Sequence, residues 1–180
     1  MAQGRVRAYV GMGGNLGGEA AVSARFAAAA AQIADLDGVA AVRRASRYRT
    51  APVGPVQAQP PFLNSAALVL VRGFRPVDFL RALLAIEARA GRDRAKETPL
   101  GPRPLDLDLL LWDDLVADEP GPPPLVLPHP RLAQRAFALA PLVELGGEDL
   151  LVPGAGGGRA GALLAAALAD PTQQVENLGA

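Results

Sequence analysis

Cysteine is absent from this 180-residue chain, which excludes a disulfide framework, a thiolate zinc site and a cysteine nucleophile. An excess of either charge is absent too. Lys+Arg and Asp+Glu balance at 18 each, whereas a general nucleic-acid binder or membrane-surface protein carries a basic surplus. No long apolar run opens the chain, and the alanine-rich stretches at 26–34 and 160–169 are too short to span a bilayer. The expectation is a soluble, cytoplasmic monomer with neither a nucleic-acid nor a membrane partner. Aromatic residues are scarce, one tryptophan, two tyrosines and five phenylalanines, so where they sit carries information. Glycine and proline are plentiful, at 20 and 17, yet short of the proportion that marks disorder. The prolines gather at 52–61, 99–104 and 120–130, three irregular segments of a kind that is usually functional or disordered. The length suits a single domain, residues 1–180, able to bury a core unaided.

Apolar periodicity predicts a first strand over 6–12, a glycine turn at 13–18 and a helix over 19–34 facing Val22, Phe26 and Ile33 inward. A strand over 39–48 follows, its Arg43, Arg44 and Arg47 suggesting an exposed edge. After a proline loop at 50–61 comes a β-rich run over 64–72. A helix over 76–90 has proline in its first turn and Phe79, Leu80, Leu83, Leu84 and Ile86 as its apolar set. A second loop covers 91–104, a strand 105–112 and a short strand 115–117. Helical segments are expected within 131–145 and over 160–169. The order βαββαβ with helical additions points to an α+β fold, an antiparallel sheet with helices packed on one face.

Leucine and aspartate alternate through Leu105-Asp106-Leu107-Asp108-Leu109, which puts both aspartates on one face of a strand. Such carboxylates lie about 7 Å apart and can both reach hard cations between them. Like charges so placed repel, and a cation relieves the repulsion. A solvated edge face is the alternative, although aspartate is depleted in strands. Just upstream, Arg103 behind Gly101-Pro102 offers a donor fork suited to phosphate. Arg89, Arg92, Arg94, Lys96 and Arg103 concentrate in and around the second loop, as a solvated face or as a phosphate-clamping lid. The lone histidine, His129, stands between two prolines, where a structural and a catalytic role both remain open. Phe62 and Phe137 read as core packing or as ring-stacking residues, and Asn64 as a strand start or a reader of a polar heterocycle. The glycine cluster 11–17 is not a dinucleotide fingerprint, because Leu16 stands where glycine is needed. It is not a P-loop either, because Gly18-Glu19 stands where Lys-Ser/Thr is needed.

These pieces, in order, resemble one family: 6-hydroxymethyl-7,8-dihydropterin pyrophosphokinase of folate biosynthesis. The resemblance runs from about Tyr9 to Leu145. It is carried by Gly13-Gly14-Asn15-Leu16-Gly17, Tyr48-Arg49-Thr50-Ala51-Pro52, Phe62-Leu63-Asn64, Ile86-Glu87 and Gly91-Arg92. Most specific is Gly101-Pro102-Arg103 with Leu105-Asp106-Leu107-Asp108, followed by Leu127-Pro128-His129-Pro130-Arg131 and Arg135-Ala136-Phe137. The resemblance implies a ferredoxin-like fold and transfer of pyrophosphate from ATP to the pterin hydroxymethyl group, releasing AMP. By position it implies that Asp106 and Asp108 hold two Mg²⁺ ions and, with Arg92 and Arg103, form the catalytic set. Glu87, Arg94, Lys96, His129, Arg131 and Arg135 would join Arg92 and Arg103 around ATP. Thr50, Pro52, Gly54, Phe62, Asn64 and Phe137 would form the pterin site. The chain departs from the family pattern at Phe62, where a hydroxylated ring is common, and at Pro99-Leu100, in place of a basic–aromatic pair. A third departure is Pro124, in place of a basic residue. Two rival readings are a non-catalytic ferredoxin-like ligand-binding module and a Mg²⁺-dependent phosphate hydrolase.

Overall fold

A computed structural model describes residues 4–52 and 58–180. The first strand, β1 (Val6–Gly14), outlasts its predicted end by two residues and turns into α1 (Gly18–Ala34). Gly17 and Gly18 make that turn at φ +87° and +81°, a left-handed conformation that costs glycine nothing. Val22, Phe26 and Ile33 are buried on the inner face of α1, as predicted. The strand expected over 39–48 is in fact two, β2 (Val39–Arg44) and β3 (Tyr48–Thr50). The break has a local cause: the Ser46 backbone N–H leaves the ladder and donates to the Glu144 carboxylate at 2.9 and 3.0 Å. β4 (Phe62–Val71) is long enough to pair with both pieces, β3 along its first half and β2 along its second.

α2 (Pro76–Arg89) buries Val77, Phe79, Leu83, Ile86 and the charged Glu87, while the expected Leu80 and Leu84 are only half-buried. β5 (Asp106–Trp112) follows the second loop. The short strand predicted at 115–117 lies two residues later, as β6 (Ala117–Glu119), hairpinned to β7 (Leu125–Leu127), which was not expected. A turn through Asp113, closed by Leu115 N–H donating to Trp112 O at 3.0 Å, delays it. A 3₁₀ turn (Leu132–Gln134) leads into α3 (Ala136–Gly146). Then come a small pair, β8 (Leu151–Val152) and β9 (Gly158–Arg159), α4 (Ala160–Leu168) and β10 (Val175–Asn177).

The main sheet runs β10-β3-β4-β1-β5, with β2 also paired to β4, and every pairing is antiparallel. With β1 central between β4 and β5, the βαββαβ unit has the ferredoxin-like α+β arrangement. Its two helices share one face of the sheet, against Ala8, Val10, Met12, Val69, Leu107 and Leu109. The C-terminal helices do not join them there. They cover the opposite face, against Tyr9, Ala66, Leu110 and Leu111. A β-bulge makes this second face apolar: the β1–β5 register slips between Tyr9 and Val10, leaving one extra residue on β5. Leu110 and Leu111 then both turn to the second face, while Leu109 and Trp112 stay on the first. Bulges of this kind re-aim side chains and gather beside active sites. No helix among the described residues is long and apolar enough to cross a membrane.

Candidate active site

Alternation on β5 carries Asp106 and Asp108 to the second face of the sheet, at the end that α3 leaves uncovered. Across the ladder they stand opposite Gly13 and Gly11, and Gly13 in turn stands opposite Asn64 on β4. Gly13 leaves the sheet surface bare there, whereas the Leu110 side chain packs over Gly11. A Cβ on Gly13 would lie 3.5 Å from Asn64 Oδ1 and 3.7 Å from Asp106 Cβ, filling the floor between them. Above that floor opens a cavity of about 310 Å³.

Part of the cavity lining is aromatic and uncharged. Phe62 and Phe137 line it together with Thr50 and Asn64. Asn64 Nδ2 donates to Thr50 Oγ1 at 2.9 Å, which fixes the amide and keeps its oxygen over Gly13. Phe62 belongs to neither hydrophobic cluster, and Phe137 only flanks one. Each ring instead carries a guanidinium, Arg103 at 4.9 Å over Phe62 and Arg135 at 5.4 Å over Phe137.

Another part of the lining is charged. Asp106, Asp108, His129, Arg103, Arg131 and Arg135 all line the same space. The two aspartates live in different fields. Burial works against the charge of Asp106, but Arg103, Arg92 and Arg94 outweigh it and hold its carboxyl below the usual range. Burial, and then the charge of Asp106, push Asp108 up; His129 and Arg135 only partly offset them. Burial lowers the affinity of His129 for a proton, and Arg135 and Arg131 add to that against the pull of Asp108. Its Nδ1 accepts from the Arg131 backbone N–H at 3.2 Å, so the neutral ring carries its proton on Nε2. Arg103 Nε stands 3.0 Å from Asp106 Oδ2, but at an angle that makes no hydrogen bond. It is the one buried side-chain nitrogen without a hydrogen-bond partner among the described residues.

The other sequence candidates among the described residues lie outside this lining. Glu87, on α2, is fully buried and acts as a junction: it accepts from Leu107 N–H at 2.6 Å, from Arg92 at 2.8 Å and from Arg94 at 2.8 and 2.9 Å. Burial raises its carboxyl above the usual range against those donors. The Arg92 side chain is 6% exposed and pairs with Glu87, Glu97 and Asp106, so this end of the second loop is not a solvated face but is tied to the site floor. Lys96 points to solvent and pairs with Asp93 at 2.9 Å. Pro52 is half-buried beside the cavity-lining Ala51. Gly54 lies outside the described residues.

The motif reading missed several residues. Asn15 is buried and ties three segments: its Nδ2 donates to Gln59 Oε1 and Pro60 O at 3.1 and 3.0 Å, and its Oδ1 accepts from Arg103 N–H at 2.9 Å. A Cβ on Gly14 would meet Pro104 O at 2.7 Å. The Gly-Gly-Asn string is therefore a clamp on the Arg103 turn, and its signal was in the sequence. Asp170, Thr172 and Gln173 also line the cavity, without any motif to announce them.

The sequence pattern of the 7,8-dihydro-6-hydroxymethylpterin-pyrophosphokinase family matches residues 9–147. The chain belongs to that family. Among its relatives is a 2-amino-4-hydroxy-6-hydroxymethyldihydropteridine pyrophosphokinase of Methylorubrum extorquens, 40% identical over 149 residues, covering 82% of this chain and 87% of that one. An enzyme of the same name from Pseudomonas aeruginosa is 38% identical over 147 residues, covering 82% and 84%. The one from Bacillus subtilis is 35% identical over 140 residues, covering 77% of each. The matched span includes every sequence candidate around the cavity, from Thr50 to Phe137. It ends before Asp170, Thr172 and Gln173.

Proposed function

We propose that this pyrophosphokinase joins its two substrates in the 310 Å³ cavity, with the pterin against Phe62 and Phe137 and the phosphates of ATP against Asp106, Asp108 and the arginines. The hydroxymethyl oxygen of 6-hydroxymethyl-7,8-dihydropterin attacks the β-phosphorus of ATP. The bond from that phosphorus to the α–β bridging oxygen breaks, AMP departs with the bridging oxygen, and the hydroxyl proton passes to solvent water. What supports the reading is one observation: a single space lined both by two aromatic rings and by a carboxylate pair among arginines. A flat heterocycle suits the rings and a triphosphate the charged groups.

Asp106 and Asp108 are suited to hold Mg²⁺, two ions by the resemblance. They are hard oxygen donors, two residues apart on one strand and on the same face, and burial together with the neighbouring charge of Asp106 raises the proton affinity of Asp108, a cost that a bound cation would relieve. When bound, the metal would neutralise phosphate charge and orient the phosphates. The protein's own groups do the rest. Arg103, ion-paired to Asp106 at 3.0 Å, brings its guanidinium to the cavity beside the carboxylates, where it would meet a phosphate oxygen. Arg131 and Arg135 bring further charge, and the Nε2–H of His129 is a neutral donor beside them. Asn64, fixed by Thr50, reads polar atoms on the heterocycle edge. With ATP as co-substrate, the cytoplasm is its compartment.

The test is AMP release measured with each substrate alone and with both. Release that requires both ATP and the pterin alcohol, in the presence of Mg²⁺, is the expected result. Release from ATP alone at the same rate would make the chain a hydrolase, and binding without any release would make it a binding module.

A further inference from the structure

The family match stops at residue 147, yet the cavity is closed in part by Asp170, Thr172 and Gln173. These residues reach it because β10 adds to β3, with Val175 opposite the cavity-lining Thr50, and the chain just before β10 meets the start of α3. That helix begins without a cap of its own. Its N-cap residue, Arg135, makes no side-chain capping bond, and the first amides of a helix have no partner within it. Gln173 supplies one from outside: its Oε1 accepts from Ala136 N–H at 3.0 Å.

The residues on either side of that amide are Arg135 and Phe137, which α3 presents to the cavity with the guanidinium over the ring. The arm that carries Gln173 is braced at both ends. Asp170 accepts from Thr172 N–H and Oγ1 at 2.9 and 2.7 Å, and Gln173 N–H donates to Asp170 O at 3.0 Å. Beyond β10, Leu178 N–H donates to Arg47 O at 2.8 Å and Arg47 N–H to Gly179 O at 2.9 Å.

We infer that Gln173 is a positioning residue for the pterin end of the site. By capping the first turn of α3 it holds Phe137, and Arg135 beside it, at the angle the flat substrate needs. The inference rests on the reading of Phe137 as a pterin-stacking ring. A second, smaller consequence is that the substrate pocket of this chain is completed by sequence lying beyond the part that matches the family.

Full-length Gln173→Ala, Gln173→Glu and Phe137→Ala variants test it, with KM for the pterin alcohol, KM for ATP, kcat and Tm measured on each. Losing a cap weakens a helix start by an amount that corresponds to about a two- to thirtyfold change in an equilibrium constant, and a rise of that size is expected in the pterin KM of Gln173→Ala. The ATP KM should move far less. Gln173→Glu keeps an accepting oxygen at a helix N-terminus and should recover most of the loss. A Gln173→Ala variant with lowered Tm but an unchanged pterin KM would make the cap structural and overturn the inference. Equal rises in both KM values would do the same. If Phe137→Ala also left the pterin KM unchanged, the stacking assignment itself would fall. If Phe137→Ala raised it and Gln173→Ala did not, only the inference would fall.

Discussion

Asp106 and Asp108 occupy equivalent places in one alternating pattern, yet their neighbours make them opposites. Asp106 is gripped by Arg92 and pairs with Arg103 at 3.0 Å and Arg94 at 3.7 Å. Among the described residues Asp108 has no ion pair, and it feels the negative charge of Asp106. Their asparagine variants should therefore separate stability from activity. On the proposed metal assignment each variant loses a charged oxygen ligand, and both should lose on the order of a hundredfold or more in AMP release. Asp106→Asn also strips a buried arginine of one partner, and should cost about 3 kcal/mol or somewhat less, because Arg92 keeps Glu87 and Glu97. Asp108→Asn removes a repulsion and should leave stability equal or higher. Urea denaturation beside the assay reads both. Near-normal turnover by the pair would remove the metal assignment, and equal destabilisation would remove the electrostatic account. The pattern was legible because strand period and residue type coincide at these positions. The arginine contacts that distinguish the two were not, since they come from a loop whose path no local rule dictates.

At the scale of elements, the strand-to-helix junction after β1 shows how a glycine-rich string can look nucleotide-like and serve packing. Gly14 lies against Pro104 O, and Asn15 holds the backbone of Arg103 from both sides, its N–H donating to Arg103 O at 3.0 Å. Gly14→Ala forces a methyl to within 2.7 Å of a carbonyl oxygen, and should cost about 1–3 kcal/mol while displacing the Arg103 turn and lowering kcat. Gly13→Ala meets only ordinary contacts of 3.5 and 3.7 Å. Its stability should stay within about 0.5 kcal/mol of the parent, yet its methyl sits on the cavity floor and should raise substrate KM. Thermal melts and steady-state kinetics on the two variants check the contrast. A Gly13→Ala protein with unchanged KM would mean that the floor does not touch substrate. Elements with strong periodicity, α1, α2 and β5, were legible to within a residue or two. The division of the 39–48 strand was not, because Ser46 is drawn out of the ladder by Glu144, about a hundred residues away in the chain and invisible to any local pattern.

For the whole molecule, one sheet serves two cores, and the ion pairs and hydrogen bonds across it decide how the second is fastened. The βαββαβ order was readable because its helices and strands alternate with clear periods. That α3 and α4 would cover the far face was not, since it depends on the bulge at Leu110, which alternation alone does not foretell. Glu144 is the main polar tie between α3 and the strands. Its carboxylate accepts from Ser46 N–H, from Ser46 Oγ at 3.0 Å and from Tyr48 OH at 2.8 Å. Burial alone would raise its carboxyl, but the Ser46 and Tyr48 donors prevail and hold it below the ordinary 4.5. Tyr48, raised by burial and by the same bond, remains a donor throughout. The sign follows from linkage: a group depressed in the folded state contributes stability that is complete above its unfolded value and is lost as pH falls through the folded one. Glu144→Gln keeps a single accepting oxygen for three donors. At neutral pH it should melt lower by about 2–4 °C, corresponding to about 1 kcal/mol once solvent screening of this exposed group is allowed for. As pH falls below 4.5, the parent protonates and loses the same advantage, so the two melting curves should converge. Melts at neutral pH and at pH about 3 decide the matter. A gap that stays constant between them would mean that the tie holds by shape rather than by charge.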